Sequence, residues 1–251
     1  MEKQDIASLS LEELKIQIKE LGLPQFRATQ IYDWIHKKGA VSFYEMTNIG
    51  KQLQDKLNDN FVIFSCTIEK KLVSRYDNTV KYLFKLPDDE YLECVVMDYK
   101  YGFTICVSTQ VGCKMGCSFC ASGIGGFKRH LTPSEILGQI YAAQRDLGVR
   151  ISRIVLMGMG EPLDNYDNVI KFLKLVSDEN GLNIGMRHIS LSTSGIVPRI
   201  YDLLELKKYD DGLELIEKEK NKFNSEPDFY FACGVYYMQT VLANVEKYME
   251  Y

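Results

Sequence analysis

The chain has 251 residues, of which 46% are hydrophobic and 25% are charged, and its formal net charge at pH 7 is −4. This balance predicts a folded globular protein and excludes a chain that is disordered throughout. A net negative charge also argues against a protein that coats nucleic acid by bulk electrostatics. The sequence has no apolar run near the roughly 20 residues that span a bilayer and no signal-peptide pattern, so we expect a cytoplasmic protein without membrane contact.

Residues 1–60 are predicted to form a small helical module. Helical patterns cover residues 11–22, 26–39 and 48–58, and the first follows a capping box made by Ser10 and Glu13. From Phe61 the apolar period changes to two, which is typical of strands. We predict antiparallel strands over residues 61–99 that bridge the module to the rest of the chain, with turns at Asp77-Asn78 and Pro87-Asp88-Asp89.

Strand and helix patterns alternate after residue 100. Strands are predicted at 103–109, 151–157 and 187–193, and helices at 133–148 and 168–177. Thr132, Pro133 and Glu135 supply the N-cap, the N1 proline and the N3 acid of the first helix. The order predicts parallel β/α units over residues 100–204, with ligands gathered at the carboxyl ends of the strands. Residues 205–251 do not fit regular β/α units.

Cys113, Cys117 and Cys120 follow the first of these core strands with the spacing C-x3-C-x2-C. Thiolates suit soft metals, so zinc and an iron-sulfur cluster are the two interpretations. A structural zinc ion needs four ligands, which His130 or Cys106 would have to complete. Three ligands on a four-iron cluster leave one iron open for redox chemistry. Residues 100–153 also contain 7 Lys and Arg against 2 Asp and Glu, which favours an anionic substrate or simply marks a solvated face.

Two further turns lie at predicted strand ends. The glycine turn 158–162, GMGEP, places a carboxylate beside flexible backbone and suits a ligand that carries an ammonium group. Pro162 weakens the alternative of a dinucleotide fingerprint. The turn 192–195, STSG, offers hydroxyls and backbone amides to a ribose or carboxylate. Either turn on its own is more often structural.

Three segments carry a family resemblance: QVGCKMGCSFCASGIGGF (110–127), MGMGEPLDN (157–165) and STSGIVP (192–198). They resemble the radical S-adenosylmethionine (SAM) methyltransferases of the RlmN/Cfr family, which methylate C2 of adenosine in 23S ribosomal RNA and often in tRNA. The resemblance extends from about Leu9 to about Leu203. It implies a partial (β/α) radical SAM barrel, a 4Fe-4S cluster, SAM, an RNA substrate, and an electron donor such as flavodoxin or ferredoxin.

The resemblance also implies roles for individual residues. Cys113, Cys117 and Cys120 match the cluster ligands, and Gly160, Glu161 and Ser192 match SAM-binding residues. Cys106 matches the cysteine that resolves a covalent protein–RNA intermediate, and Glu93 matches the proton acceptor. Without the resemblance, the alternative interpretations are that Cys106 is a buried strand thiol and that Glu93 is a solvent-facing strand residue.

The carboxyl-terminal part departs from the family pattern. After residue 203 the further β/α units of the family are not recognisable, so the core of residues 100–204 is expected to be an incomplete barrel and 205–251 a divergent tail. Cys233, in Ala232-Cys233-Gly234, is the candidate for the methyl-carrying cysteine, and burial for packing is its alternative. Two other functions stay open: an iron-sulfur and SAM-binding homologue without methyltransferase activity, and a zinc-stabilised RNA-binding protein.

Overall fold

The computed structural model describes residues 3–205. The chain divides into two compact units, Met1–Ser192 and Thr193–Tyr251. The described part of the second unit contains helix α6 (Val197–Glu205), in which Arg199 pairs with Asp202 at 2.9 Å. The elements below belong to the first unit.

The amino-terminal module contains the three helices predicted from sequence. They are α1 (Leu11–Glu20), α2 (Phe26–His36) and α3 (Lys51–Asn60), and the short strands β1 (Gln4–Asp5) and β2 (Phe61–Val62) pair in parallel beside them. The capping box of α1 is present, because the Ser10 side chain accepts from the Glu13 backbone while the Glu13 carboxylate accepts from the Ser10 backbone. The predicted helical module is confirmed.

An antiparallel meander follows the module. Its strands are β3 (Thr67–Val73), β4 (Val80–Lys85), β5 (Tyr91–Tyr99) and β6 (Gly102–Cys106). The antiparallel strands predicted over residues 61–99 are interrupted once more than expected, because residues 63–66 separate β2 from β3. There Phe64 packs so closely on a helix of the core that a β-carbon on Gly138 would lie 2.8 Å from its ring. Packing of Phe64 therefore replaces strand pairing at this point.

The core adds two strands to this meander. The remaining strands are β7 (Gln110–Val111), β8 (Arg129–His130), β9 (Ile151–Leu156) and β10 (Ile189–Leu191), and the connecting helices are α4 (Pro133–Leu147) and α5 (Tyr166–Ser177). The sheet order is β10-β9-β6-β5-β4-β3, and β6, β9 and β10 run parallel to one another. Over residues 3–205 this six-stranded sheet does not close into a barrel. The predicted α/β core with parallel strands is confirmed.

The two faces of the sheet differ in burial. Residues of one face, including Tyr82, Leu92 and Ile105, are fully buried in the hydrophobic core. The register pairs Val95 with Cys106 and Cys106 with Val155, and these three residues are only partly buried on the opposite face. We call this second side the open face. None of the helices in the described part of the chain is long and apolar enough to cross a membrane.

Candidate active site

The three clustered cysteines lie on a loop that β7 and β8 close at its base. Gln110 pairs with His130, and Val111 pairs with Arg129, so the two short strands enclose residues 112–128 between them. Gly112, at a φ of 72°, occupies the left-handed region that favours glycine at the point where the loop leaves β7. Cys113 and Cys117 are partly buried and Cys120 is exposed, which makes the loop accessible to an incoming metal group.

The cysteine loop supplies the kind of donor atoms that bind an iron-sulfur cluster. Hydrogen bonds from Ser122 to the Cys120 sulfur lower the pKa of that thiol, and thiolates are the ligands that iron-sulfur clusters use. Among residues 3–205, no group of three or more His, Cys, Asp or Glu side chains has its ligand atoms gathered to hold a metal ion. The loop therefore brings the cysteines into one segment without gathering their sulfur atoms, and its glycines and exposure suit closure around a cluster.

The glycine turn 158–162 follows β9 and is fastened to the end of β6. The Gly158 backbone donates to Val107 at 3.1 Å, and the Met159 backbone donates to the Ser108 hydroxyl at 2.9 Å. A β-carbon at Gly158 would lie 2.7 Å from Ser108 atoms, so only glycine permits this approach. The turn and the segment that leads to the cysteines are therefore one packed structure.

Glu161 faces into this structure. Its side chain is 4% exposed, and its Oε1 accepts a hydrogen bond from the Leu163 backbone at 2.9 Å. Its own backbone N–H donates to Oε1 of Gln110 at 2.8 Å. Gln110 is a site residue that sequence reasoning missed, because a lone glutamine before a cysteine motif has no distinctive signature.

Glu93 and Cys106 lie on neighbouring strands of the open face. Cys106 is directly opposite Val95, so Glu93 is its diagonal neighbour two residues along β5. The Glu93 carboxylate pairs with Nζ of Lys81 at 2.7 Å. Burial raises the pKa of the Cys106 thiol, and a hydrogen bond from the Met157 backbone opposes this shift only in part. A neutral thiol and a carboxylate therefore share one face of the sheet.

Ser192 comes directly after β10. Because β6, β9 and β10 are parallel, the cysteine loop, the glycine turn and Ser192 all follow carboxyl ends at the same edge of the sheet. This placement matches the one expected from the sequence. Cys233 lies outside the described residues.

Most of the basic residues near the cysteines already have partners. Arg129 binds Glu135 and Asp88, Arg153 stacks on Tyr101 at 4.0 Å, and Lys114 pairs with Asp164 at 2.8 Å. Arg145 and Arg150 donate to backbone carbonyls of residues 39 and 182. The basic excess is thus largely structural, and the exposed Lys100 and Lys128 are its most available members.

Family models match both parts of the chain. The model of the radical SAM superfamily covers residues 107–250, and that of the ribosomal RNA large subunit methyltransferase N-terminal domain covers residues 4–63. An open α/β sheet with a three-cysteine loop at its carboxyl edge is the architecture of a radical SAM core. The chain belongs to the radical SAM superfamily.

Similar proteins agree with this assignment. A probable dual-specificity RNA methyltransferase RlmN of Alkaliphilus oremlandii is 54% identical over 82% of this chain and 60% of its own length. The corresponding protein of Clostridium tetani is 55% identical over 80% of this chain and 57% of its own length. The crystal structure of a radical SAM methyltransferase from Sphaerobacter thermophilus aligns with a TM-score of 0.75 and 38% identity over 80% of this chain and 60% of that chain. The chain therefore spans about 60% of the length of these relatives.

Proposed function

We propose that this protein acts as a radical SAM RNA methyltransferase that adds a methyl group to C2 of adenosine in 23S rRNA, with tRNA as a further substrate. The observation that carries the proposal is the shared sheet edge, at which the cysteine loop, the glycine turn and Ser192 follow three parallel strands. The names of the similar RlmN proteins support RNA as the substrate.

Three segments of the chain would bind the cluster and SAM. Cys113, Cys117 and Cys120 would hold a 4Fe-4S cluster, which supplies the electron for reductive cleavage of SAM when it is bound. Gly160, Glu161 and Ser192 would bind SAM. Because the Glu161 carboxylate is buried and bonded to its own turn, it can orient the backbone of the turn as well as contact the ligand.

The open face would carry the groups that act on the RNA base. Glu93 would accept a proton from the base, and the Lys81 ion pair holds its carboxylate in position. The Cys106 thiol would give up its proton and form a disulfide with the methyl-carrying cysteine as the carbon–sulfur bond to the RNA breaks, and the released methyl carbon would take up the proton. We assign that carrier role to Cys233.

We place the reaction in the cytoplasm, where rRNA is available and thiols stay reduced. A flavodoxin or ferredoxin is the class of partner that could deliver the electron.

The test is anaerobic reconstitution of the protein with iron and sulfide. It is followed by assays for 5′-deoxyadenosine and for 2-methyladenosine in 23S RNA fragments. We expect the wild type to contain four-iron clusters and to form both products, and each of Cys113→Ala, Cys117→Ala and Cys120→Ala to lose the cluster and both products. Cys66→Ala, which changes a cysteine remote from the loop in sequence, is the control and should keep the cluster. Stoichiometric zinc without acid-labile sulfide would contradict the proposal.

The same assay separates the remaining possibilities. Formation of 5′-deoxyadenosine without 2-methyladenosine would identify a SAM-cleaving homologue that does not methylate RNA. Loss of methylation in Cys233→Ala, with 5′-deoxyadenosine formation retained, would support Cys233 as the methyl carrier.

A further inference from the structure

A buried glutamine joins the cysteine loop to the glycine turn. Gln110 is 0% exposed and lies three residues before Cys113. Its Oε1 accepts from the Glu161 backbone at 2.8 Å, and its Nε2 donates to Oδ2 of Asp164 at 2.8 Å and lies 3.0 Å from Nδ1 of His130. A backbone N–H can only donate and a carboxylate can only accept, so the partners fix the orientation of the amide. The side chain at position 110 must therefore supply both a hydrogen-bond acceptor and a hydrogen-bond donor.

The glycine turn packs directly on this side chain. A β-carbon at Gly160, whose φ is 100°, would lie 2.5 Å from Cβ and 2.8 Å from Cγ of Gln110. The Gln110 backbone also donates to Met159 at 3.2 Å. The turn therefore cannot shift relative to Gln110 without breaking both packing and hydrogen bonds.

Asp164 extends the connection to the cysteine loop itself. While its Oδ2 accepts from Gln110, its Oδ1 pairs at 2.8 Å with Nζ of Lys114, which lies between Cys113 and Cys117. The same ammonium group lies 5.3 Å from the centre of the Phe127 ring at the other end of the loop. The Asp164 side chain is 15% exposed and that of Lys114 is 51% exposed, so solvent screens this ion pair from the lysine side only.

We propose that Gln110 and Asp164 are positioning residues that fix the distance between the cysteine loop and the glycine turn. This inference rests on the proposed function, because it assigns SAM to the turn and the cluster to the loop. Neither residue needs to touch SAM. They hold the backbone of Glu161 in place with respect to Cys113, so that one ligand can span both segments. Weakening the connection lowers SAM affinity while the cysteines still bind iron.

The test uses the polarity of the connection. Gln110→Glu places a carboxylate against that of Asp164, and we expect SAM affinity to fall about tenfold in calorimetric titration of the reconstituted protein, with iron and sulfide content unchanged. Asp164→Asn removes the charge that pairs with Lys114, and we expect a smaller loss. In the double variant Gln110→Glu/Asp164→Asn the new carboxylate accepts from both the Glu161 backbone and the new amide. Affinity should then recover to within about threefold of wild type.

Recovery in the double variant distinguishes a polar connection from loss of folding. Lys114→Met should weaken SAM binding severalfold, and Lys128→Met, which removes an exposed charge from the same loop, is its matched control and should not. The SAM-induced change in the electron paramagnetic resonance spectrum of the reduced cluster provides a second measurement. It should require about tenfold more SAM in Gln110→Glu and return to near wild-type concentrations in the double variant. Unchanged affinity in both single variants, or additive losses in the double variant, would overturn the inference. Failure of the wild type itself to bind the cluster or SAM would instead refute the proposed function.

Discussion

At the scale of single residues, two features place the glycine turn: Gly158 has no side chain, and the side chain of Glu161 is buried. Gly158 brings the backbone against Ser108, and Glu161 turns its carboxylate inward to accept from Leu163. Such a carboxylate shapes the turn, because it accepts from a backbone amide two residues further along the chain. The proposed SAM site is thus preorganised by its own residues.

This arrangement predicts the effect of removing the Glu161 carboxylate. Glu161→Ala should lower SAM affinity about tenfold or more, since both the ligand contact and the hydrogen bond that orders the turn are lost. The cluster should remain, because the cysteines lie on a different loop. Calorimetric titration of the reconstituted protein measures the first effect and iron analysis the second. Asp167→Ala, which removes an exposed acid from the start of α5, is the control, and equal affinity in the two variants would contradict the assignment.

At the scale of elements, the start of α4 connects the cysteine loop to the core. The Thr132 side chain accepts from the Glu135 backbone at 3.3 Å, and the Glu135 carboxylate accepts from the Thr132 backbone at 2.8 Å. The same carboxylate binds both terminal nitrogens of Arg129, each at 2.8 Å, and Arg129 lies in β8 at the base of the loop. The first turn of α4 therefore caps the helix and also binds Arg129 at the base of the cysteine loop.

Loss of this cap should be measurable. Thr132→Ala should reduce the free energy of unfolding by about 1 kcal/mol, because an N-terminal amide of α4 loses its acceptor. Thr132→Ser keeps the hydroxyl and should stay close to wild type in the same urea titration. A loss of equal size in both variants would show that the methyl group of Thr132, and not the cap, is responsible.

Local signals explain which elements could be predicted. The capping residues Ser10, Glu13 and Thr132 gave correct helix starts, and the period-two pattern located β4 and β5. Pairing between distant short segments left no such signal. The strands β1 and β2, or β7 and β8, have two residues each, so periodicity cannot reveal them.

The same distinction holds for the candidate site. The spacing of the cysteines identified the loop directly. The contacts of Gln110 and the ion pair of Glu93 with Lys81 depend on which strands become neighbours, and only the fold supplies that information. Their roles in binding and catalysis stay predictions.

At the scale of the whole molecule, a buried histidine joins the helical module to the core. His36 of α2 is 1% exposed, and its Nδ1 lies 2.8 Å from the Tyr141 hydroxyl of α4. Nearby, the Tyr32 hydroxyl donates to Asp178 at 3.0 Å. Burial lowers the pKa of His36 to about 3, although the Asp178 charge opposes this shift. Folding therefore requires the neutral imidazole.

This requirement makes the stability depend on pH. Below the unfolded pKa of about 6.5 the unfolded chain binds a proton that the folded protein excludes, so this contribution destabilises the fold as pH falls from about 6.5 towards 3. Its slope is at most about 1.4 kcal/mol per pH unit. Urea titrations at several pH values should show a shallower dependence in His36→Gln than in wild type. His188→Gln, which replaces an exposed histidine, should retain the wild-type slope, and identical slopes in all three proteins would refute this account.

The order of strands in the sheet has a consequence for how the protein is made. Strands β3 to β6 are neighbours both in sequence and in space, so tight turns suffice to assemble them as they leave the ribosome. The next pairing, of Cys106 with Val155, must enclose the cysteine segment and α4 in a long loop. Closing that loop costs conformational entropy before the contacts between β6 and β9 can stabilise it. We therefore expect the strand that leads into the cysteine loop to become fixed in the parallel part of the sheet only after β9 has been synthesised. Delivery of iron during biosynthesis would then depend on a late folding event.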